Sequence, residues 1–502
     1  MKGSVPVDYQ TRDDLAALHS LSLFTKFFQL AVVLVQGMIV NRLLHPTGRG
    51  LVETAIGIVA VVGALQNLGF VGSTVREISA TADESRRSAT FAVALGMRGT
   101  ISLITALILW GSAGYLATHV AREPLIAPAL RIYGFTILFI PVFQTCEATL
   151  MGLQRFKSLF LFYAINTVVN MLATVGLVAL RQFEGYFIGQ AVGLILGTAP
   201  LLLLALGALQ WRALLPRSRQ ELMEIMRALF TVALVVYVAK VLYAQYVGIG
   251  AVILKRFVSA EQIGYFGNGK QIALHLLNIA EAANIVNLSV MSQYFTRERE
   301  AFRATVQRNF AQLLAVIFYG GAAAALFARE LILITAGREF LPAVSLVPWF
   351  VLAFIFYSSV HITAAGVLVP SNSNLVYLVA YILLTGVSAA MTWLLAAAGW
   401  GILGGALALL GGAVVAALYL GVFLWRQFRI AILNWSLAKI LVPLLPMWGA
   451  CAMVESLGLR MLVFVAGSLG WIWIVQRSGL IAVSRLPQEM WARLRGPLAT
   501  RS

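Results

Sequence analysis

The sequence predicts an all-α integral membrane protein with 14 transmembrane helices: two six-helix repeats around a central cavity, then two further helices. Hydrophobic residues make up 60% of the chain and charged residues only 11%, too little charge to cover a soluble protein of this length. Apolar runs of about 20 residues recur, the length that a helix needs to cross a bilayer. Such runs exclude a β-barrel, whose strands need only about 10 alternating residues.

The apolar runs divide the chain into lobes and connections. The predicted spans are 20–41, 51–75, 91–119, 130–151, 158–180, 187–211, 229–254, 264–290, 309–328, 343–369, 374–397, 401–425, 438–456 and 461–476. The predicted regions are a cytoplasmic N-terminus (1–19), a first lobe (20–211), an inter-lobe linker (212–228), a second lobe (229–425), two further helices (438–476) and a basic tail (477–502). The loops between spans leave no room for a folded soluble domain.

A polar turn that occurs twice in the sequence indicates an internal duplication. RLLHPTGRGLV at 42–52 and RFVSAEQIGYF at 256–266 align Arg with Arg and Gly with Gly at an offset of 214. REPLIAPALRIYGF at 122–135 resembles REFLPAVSLVPWF at 338–350 at an offset of 216, and RRSATF at 86–91 weakly resembles FRATVQ at 302–307. Because the offset covers six spans, an even number, both halves run in the same direction. They are predicted to be parallel repeats related by an axis along the membrane normal.

The basic residues predict the orientation. Most of the 37 Lys and Arg residues fall in segments on the same side as the N-terminus. Cytoplasmic loops carry such an excess, so both termini are predicted to be cytoplasmic. Topology therefore accounts for the net charge of +17, and we expect no nucleic-acid partner.

Four cations within spans predict a hydrated cavity for an anionic guest. Lys240 lies near the middle of span 7, Lys270 on span 8, Arg98 on span 3 and Lys26 on span 1. A charge inside a bilayer is costly and usually faces a cavity or a partner. Cations suit a phosphate or pyrophosphate group. Lys26 and Arg98 lie close enough to span ends to extend towards the membrane surface instead, so that interpretation stays open for these two residues.

Two acids within spans are candidates for ion coupling. Glu281 shares a face of span 8 with Lys270, about three helical turns away, which is too far for a direct bond. Glu53 lies on a polar stripe of span 2 together with Asn67. Acids that can take up a proton or a cation inside the membrane are typical of ion-driven transporters.

No pattern in the sequence predicts a catalytic, metal or cofactor site. The two cysteines lie inside apolar runs, and the five histidines are scattered without metal-ligand spacing. GYFGNGKQ at 264–271 matches a phosphate-binding loop up to its lysine, but Gln271 stands where that loop needs Ser or Thr. We therefore expect a protein that is not an enzyme and has no cofactor.

Several segments together resemble a known family. They are RLLHPTGRGLVETA at 42–55, LQNLGFVGSTVREIS at 65–79, the run at 253–300, and AGREFLPAVSLVPWFVLAF at 336–354. They resemble the polysaccharide-transport family, the oligosaccharide flippases of the multidrug/oligosaccharidyl-lipid/polysaccharide flippase superfamily. The resemblance implies two six-helix lobes forming a V around a cavity that opens to alternate sides of the membrane.

The resemblance also implies a substrate and a location. Family members move undecaprenyl-pyrophosphate-linked oligosaccharide repeat units from the inner to the outer leaflet of the cell inner membrane, for cell-surface polysaccharide biosynthesis. A gradient of H⁺ or Na⁺ is thought to drive some members. Membrane lipids and other polysaccharide assembly proteins are the further partners that it implies.

Three alternatives stay open. A cation-coupled multidrug exporter of the same superfamily typically has acids in its first lobe's cavity, whereas span 1 here offers Lys26 and no acid. A lipid II flippase also has 14 spans and basic cavity residues. A membrane-embedded polysaccharide polymerase or ligase usually carries a large outer loop, and the longest outer loop predicted here covers only 328–341.

Overall fold

The computed structural model describes residues 12–63, 70–210, 213–231, 234–275, 295, 299–371, 373–431 and 435–477. Every regular element within these ranges is a helix. In the same ranges, nine helices are long and apolar enough to cross a membrane, and Val241–Leu254 and Leu437–Cys451 are shorter apolar helices. The prediction of an all-helical, multi-pass membrane protein is confirmed.

The described part of the first half contains six α-helices. They are α1 (Arg12–Gly63), α2 (Phe70–Ala80), α3 (Glu84–Tyr115, continued by a π-helical turn at Leu116–Val120), α4 (Ile126–Ile137), α5 (Ile140–Gly152) and α6 (Phe156–Leu206). Helix α1 packs on α6, α2 on α5, and α3 on α4 and α5.

The second half begins with α7 (Arg219–Thr231), α8 (Leu234–Leu254) and α9 (260–275). There follow α10 (Arg299–Leu326), α11 (Ala328–Thr335), a 3₁₀ helix at Arg338–Leu346, and α12 (Val347–Thr363, continued by a π-helical turn at Ala364–Leu368). The remaining helices are α13 (Asn374–Ala397), α14 (Gly401–Phe428), α15 (Trp435–Leu441), α16 (Leu444–Ala452) and α17 (Leu457–Arg477).

The first polar turn is shorter than the sequence predicts. Helix α1 runs through residues 42–50 and leaves helical geometry at His45, with φ 54° and ψ 174°. Pro46 explains the position of this break. Proline disfavours helical geometry in the residue before it, and its own fixed φ suits the first turn of the next helical segment. Helix α1 therefore has two limbs that meet at His45.

Helix α6 is bent in the same manner, at Gln182, with φ 48° and ψ −119°. Its two limbs pack closely because small residues face the first limb. A methyl group added to Gly185 would lie 1.9 Å from the Leu177 carbonyl oxygen, and one added to Gly197 would lie 2.0 Å from Asn166. Glycine at such positions lets two membrane helices approach to backbone contact.

Each half has its own apolar core. The largest cluster of buried apolar side chains lies between Tyr246 and Leu437 in the sequence. A second lies between Val40 and Phe187, with Ala260 added from the second half. Within the described residues, helix contacts at two places join the halves: α1 packs against α8 and α11, and α7 packs against α2 and α3.

Candidate functional site

The two repeated turns contact each other through a reciprocal pair of glycines. A methyl group on Gly50 would lie 1.7 Å from the Ala260 carbonyl oxygen, and one on Gly264 would lie 2.0 Å from the Pro46 carbonyl oxygen. Residues 46 and 260 are 214 apart, as are 50 and 264. Each turn therefore supplies both the glycine and the carbonyl, so the same contact is made twice. We call the end of the bundle that holds residues 42–50 and 256–264 the turn end.

Arginines at matching positions of the two turns also bind across the halves. Arg42 donates through Nη2 to the Ile334 carbonyl oxygen at 2.9 Å, and Arg256 donates through Nη2 to the His119 carbonyl oxygen at 3.4 Å. Arg42 and Arg256 are 214 residues apart, and their acceptors are 215 apart. Each half therefore holds the turn of the other half by equivalent hydrogen bonds.

Two ion pairs extend this contact. His45 Nδ1 lies 2.6 Å from a Glu339 carboxylate oxygen, and Lys255 Nζ lies 3.3 Å from a Glu123 carboxylate oxygen. Glu123 and Glu339 occupy matching positions of the second repeated segment, 216 residues apart. We call these two ion pairs and the two arginine hydrogen bonds the latch. Arg42, His45 and Arg256 are solvent-exposed, so their contacts contribute little to stability, whereas the Lys255 side chain is largely buried.

A buried charge cluster of Arg49, Glu53, Lys270 and Gln271 lies next to the turns. Glu53 is 7% exposed and Lys270 is 4% exposed. Lys270 Nζ donates to the Glu53 carboxylate and, at 2.7 Å, to the Val247 carbonyl oxygen. Arg49 Nη2 lies 3.3 Å from the other Glu53 oxygen and donates to Gln271 Oε1 at 3.1 Å. One carboxylate thus holds two cations, one from each half.

The charge cluster, unlike the glycine contacts and the arginine hydrogen bonds, is not repeated at the matching positions. The position that matches Glu53 in the second half is Gly267, and a methyl group there would lie 3.0 Å from the Glu53 side chain. The position that matches Lys270 in the first half is Ile56. The first half therefore supplies the acid, while the second half supplies a cation and the space for the acid.

The structure places Glu53 and Lys270 together, although the sequence analysis assigned them separate roles. Lys26 is exposed on the first limb of α1. Lys240 lies on α8, one turn before Tyr243; the position of its side chain is outside the described part of the structure. Glu281 is outside the described residues.

Arg98 lies on α3 in the first half and is not a member of the charge cluster. It is 3% exposed and donates to Gln144 on α5. Its Nε and Nη1 atoms have no hydrogen-bond partner among the described residues. One turn beyond Gln144, the Glu147 carboxylate accepts a hydrogen bond from the Tyr163 hydroxyl. Arg98 and Glu147 therefore form a second polar region within the first half.

Sequence reasoning missed Arg49, which it placed in an outer loop. The spacing of Arg49 and Glu53, four residues apart on one helix, was the available signal, because residues at that spacing lie side by side. The described residues contain no group of three His, Cys, Asp or Glu side chains that could hold a metal ion.

The family of polysaccharide biosynthesis proteins matches residues 39–345. The match covers more than half of the chain, including both repeated turns and every member of the charge cluster. The chain belongs to this family. The family resemblance seen in the sequence is thereby confirmed. No protein with a curated description matches the sequence significantly.

Solved structures share the fold of this polysaccharide biosynthesis protein. The lipid II flippase MurJ in an inward closed conformation superimposes with a TM-score of 0.67 at 12% identity, covering 93% of this chain and all of that one. An inward-facing multidrug resistance MATE transporter of the MOP superfamily gives 0.62 at 16% identity, covering 80% of this chain and 94% of that one. A eukaryotic MATE transporter gives 0.54 at 16% identity, covering 81% and 98%. At such identities the likeness concerns the fold alone.

Proposed function

We propose that this protein is a flippase that moves undecaprenyl-pyrophosphate-linked oligosaccharide repeat units across the cell inner membrane for cell-surface polysaccharide biosynthesis. The observation that carries the proposal is the contact between the halves at the turn end. There the mostly exposed contacts of the latch lie around the buried charge cluster. Because exposed polar contacts are individually weak, such a contact suits two halves that separate and close again during transport. Membership of a polysaccharide biosynthesis family supports the sugar substrate, and no bond-breaking chemistry is required of the protein.

The proposed architecture has 14 membrane helices in two pseudo-symmetric six-helix lobes, at 20–211 and 229–425, followed by two helices at 438–476. Several observations support it. Helices α1 and α6 each bend at one residue and are long enough to supply two spans apiece. Helix α9 occupies the start of predicted span 8. The reciprocal contacts at offsets of 214 to 216 are those expected of parallel repeats that face each other across a two-fold axis.

The proposed orientation places the turn end outside and both termini in the cytoplasm. Exposed basic residues at the opposite end of the helices support it, namely Arg155 and Lys157 at the start of α6 and Arg426 and Arg429 at the end of α14. In this orientation the described conformation is closed towards the outside.

The charge cluster suggests how substrate binding is linked to opening of the outer side. When the halves separate, the ion pair between Glu53 and Lys270 breaks. A buried charge left without a partner costs several kcal/mol. A pyrophosphate that enters from the inner leaflet would replace Glu53 as the partner of Lys270, and Lys26 and Lys240 would add positive charge to the cavity. A proton or Na⁺ would neutralise the released Glu53. A ligand shifts such an equilibrium only by binding one state better than the other, and this exchange of partners supplies that difference.

Arg98 and Glu281 complete the proposed site as predicted from the sequence. We propose that Arg98 contributes positive potential to the cavity from within the first lobe, and that Glu281 shares the ion-coupling role with Glu53. Neither proposal requires these residues to touch the pyrophosphate in the outside-closed conformation.

The test is flipping of a fluorescent polyprenyl-pyrophosphate oligosaccharide in proteoliposomes. We expect Lys240→Gln to slow flipping about tenfold, because one charge-assisted hydrogen bond is lost, and Lys240→Arg to retain most of the rate. Arg155→Gln removes an exposed cation at the end of the bundle opposite the turn end; it is the matched control and should flip at the wild-type rate. Wild-type flipping in the Lys240→Ala/Lys270→Ala double variant would contradict the cationic site. Uptake of cationic dyes without flipping would favour a multidrug exporter instead.

A further inference from the structure

A groove of about 800 Å³ lies on the second half, away from the contact between the halves. Helices α10, α12 and α14 and the start of α15 form it. Its walls are mainly apolar, with Leu314, Phe318, Ile355, Leu418 and Val422 among the lining residues. The volume is within the range of small-molecule sites, roughly 300–1,000 Å³. Leu418 and Val422 are largely exposed, so the groove is open along the surface of the helices.

Two arginines border one end of this groove. Trp425, Arg426 and Arg429 line it where α14 ends, and Arg429 ends that helix in the left-handed conformation, with φ 54° and ψ 35°. Both arginines are exposed, and within the described part of the chain neither side chain has an ion-pair or hydrogen-bond partner. The lining residues include no carboxylate. The groove thus combines an apolar trough with a purely cationic end.

We infer that this groove binds an anionic glycerophospholipid. An acyl chain would lie along the apolar walls, and the phosphate would bind between the Arg426 and Arg429 guanidinium groups. Guanidinium groups bind phosphate oxygens through paired, charge-assisted hydrogen bonds. Basic pockets between membrane helices are typical sites for acidic lipid headgroups. Trp425 also supports a headgroup site at this end of the groove, because tryptophan favours the headgroup region of a bilayer.

The position of the groove separates it from the proposed transport path. The halves meet through α1, α8 and α9 at the turn end and through α2, α3 and α7 elsewhere, whereas the groove is formed by α10, α12, α14 and α15. A lipid held there would touch both α14 and α15, so it would attach the last helices to the second half. The inference therefore concerns a bound structural lipid and does not depend on the transported substrate.

The test uses the full-length protein in nanodiscs that contain a phosphatidylglycerol with a photoactivatable group on one acyl chain. After illumination, mass spectrometry locates the labelled peptides. We expect labelling of the α14 segment that contains Leu418 and Val422. We expect Arg426→Gln/Arg429→Gln to lower this labelling by about tenfold, because each basic side chain near a membrane surface adds appreciably to acidic-lipid binding.

Two further variants test charge and space separately. Arg155→Gln/Lys157→Gln removes the same charge at the same end of the bundle but far from the groove, and should leave the labelling unchanged. Gly421→Leu fills the groove while keeping both arginines; nothing lies within 4 Å of a methyl group added there, so the variant should fold and lose the label.

Three results would overturn the inference. One is equal labelling by a phosphatidylcholine probe, and another is full labelling of the Arg426→Gln/Arg429→Gln variant. The third is displacement of the label by the fluorescent polyprenyl-pyrophosphate oligosaccharide, which would assign the groove to the transported lipid. Flipping by the Lys240 variants is measured separately, so failure of this inference can be distinguished from failure of the proposed function.

Discussion

The two repeated turns dock alike, but the helices that follow them differ. In both turns a glycine meets the carbonyl of the other turn, and an arginine reaches the other half. Three residues after the glycine, the first half has Glu53 and the second half has Gly267. The backbone contact is therefore symmetric, whereas the charged contact is not.

The asymmetry of the charged contact has an electrostatic reason. Glu53 and Gly267 are matching positions, and they lie against each other where the halves meet. Glutamate at both would bring two carboxylates together in an apolar region, and like charges that close cannot both stay ionised. A residue near a two-fold axis meets its own counterpart, so a buried ion pair there requires that the two copies differ. The arginine hydrogen bonds at the periphery are free of this constraint and are present twice.

The largest expected effect comes from the symmetric contact. Gly50→Ala and Gly264→Ala each place a methyl group within 2.0 Å of a backbone carbonyl oxygen. Since backbone cannot move aside as a side chain can, we expect each to lower the free energy of unfolding by about 3 kcal/mol, the upper end for overpacking. Thermal unfolding in detergent measures this effect. Gly99→Ala, with open space around it, is the control. A clear difference between the two turns would refute the reciprocal contact.

The second effect comes from the asymmetric charge pair. We expect Glu53→Gln and Lys270→Met each to destabilise the outside-closed state, because each leaves a buried group without its partner. In the double variant the losses should not add, with a coupling free energy of about 1–3 kcal/mol. A double-mutant cycle on thermal stability gives this value. Additive losses would show that the two side chains do not interact.

The smallest effect comes from the latch. Arg42 and Arg256 are exposed, and single exposed contacts contribute little. We therefore expect Arg42→Ala and Arg256→Ala to leave the unfolding temperature nearly unchanged. Each should raise, to a similar extent, the rate at which a maleimide reagent labels a cysteine placed at Thr47. Unequal rates would indicate that the hydrogen bonds of the two turns are not equivalent.

Much of this arrangement could be predicted from local patterns. The apolar runs predicted the helices, and the repeated Arg and Gly at 42, 50, 256 and 264 predicted the duplication. Polarity within apolar spans identified both Glu53 and Lys270. Their pairing could not be predicted, because they are 217 residues apart and only the docking of the two halves brings them together.

Other features depended on backbone geometry. The sequence predicted a polar turn at 42–50, whereas the helix continues through it except at His45. Arg49 was therefore assigned to a loop, although it lies on the helix one turn before Glu53. The break at Gln182 falls within the loop predicted between spans 158–180 and 187–211, but no proline marks that residue as Pro46 marks His45.

The most direct test of the account measures the separation of the two turns. Spin labels are placed at Thr47 and Glu261, which are matching exposed positions, after replacement of Cys146 and Cys451 by alanine. Double electron–electron resonance in nanodiscs then reports the distance distribution. We predict a single short distance for the resting protein and a second, longer distance when Glu53→Gln is introduced or the lipid-linked oligosaccharide is added. An unchanged distribution under both conditions, in protein that still flips its substrate, would contradict the claim that the turn end opens during transport.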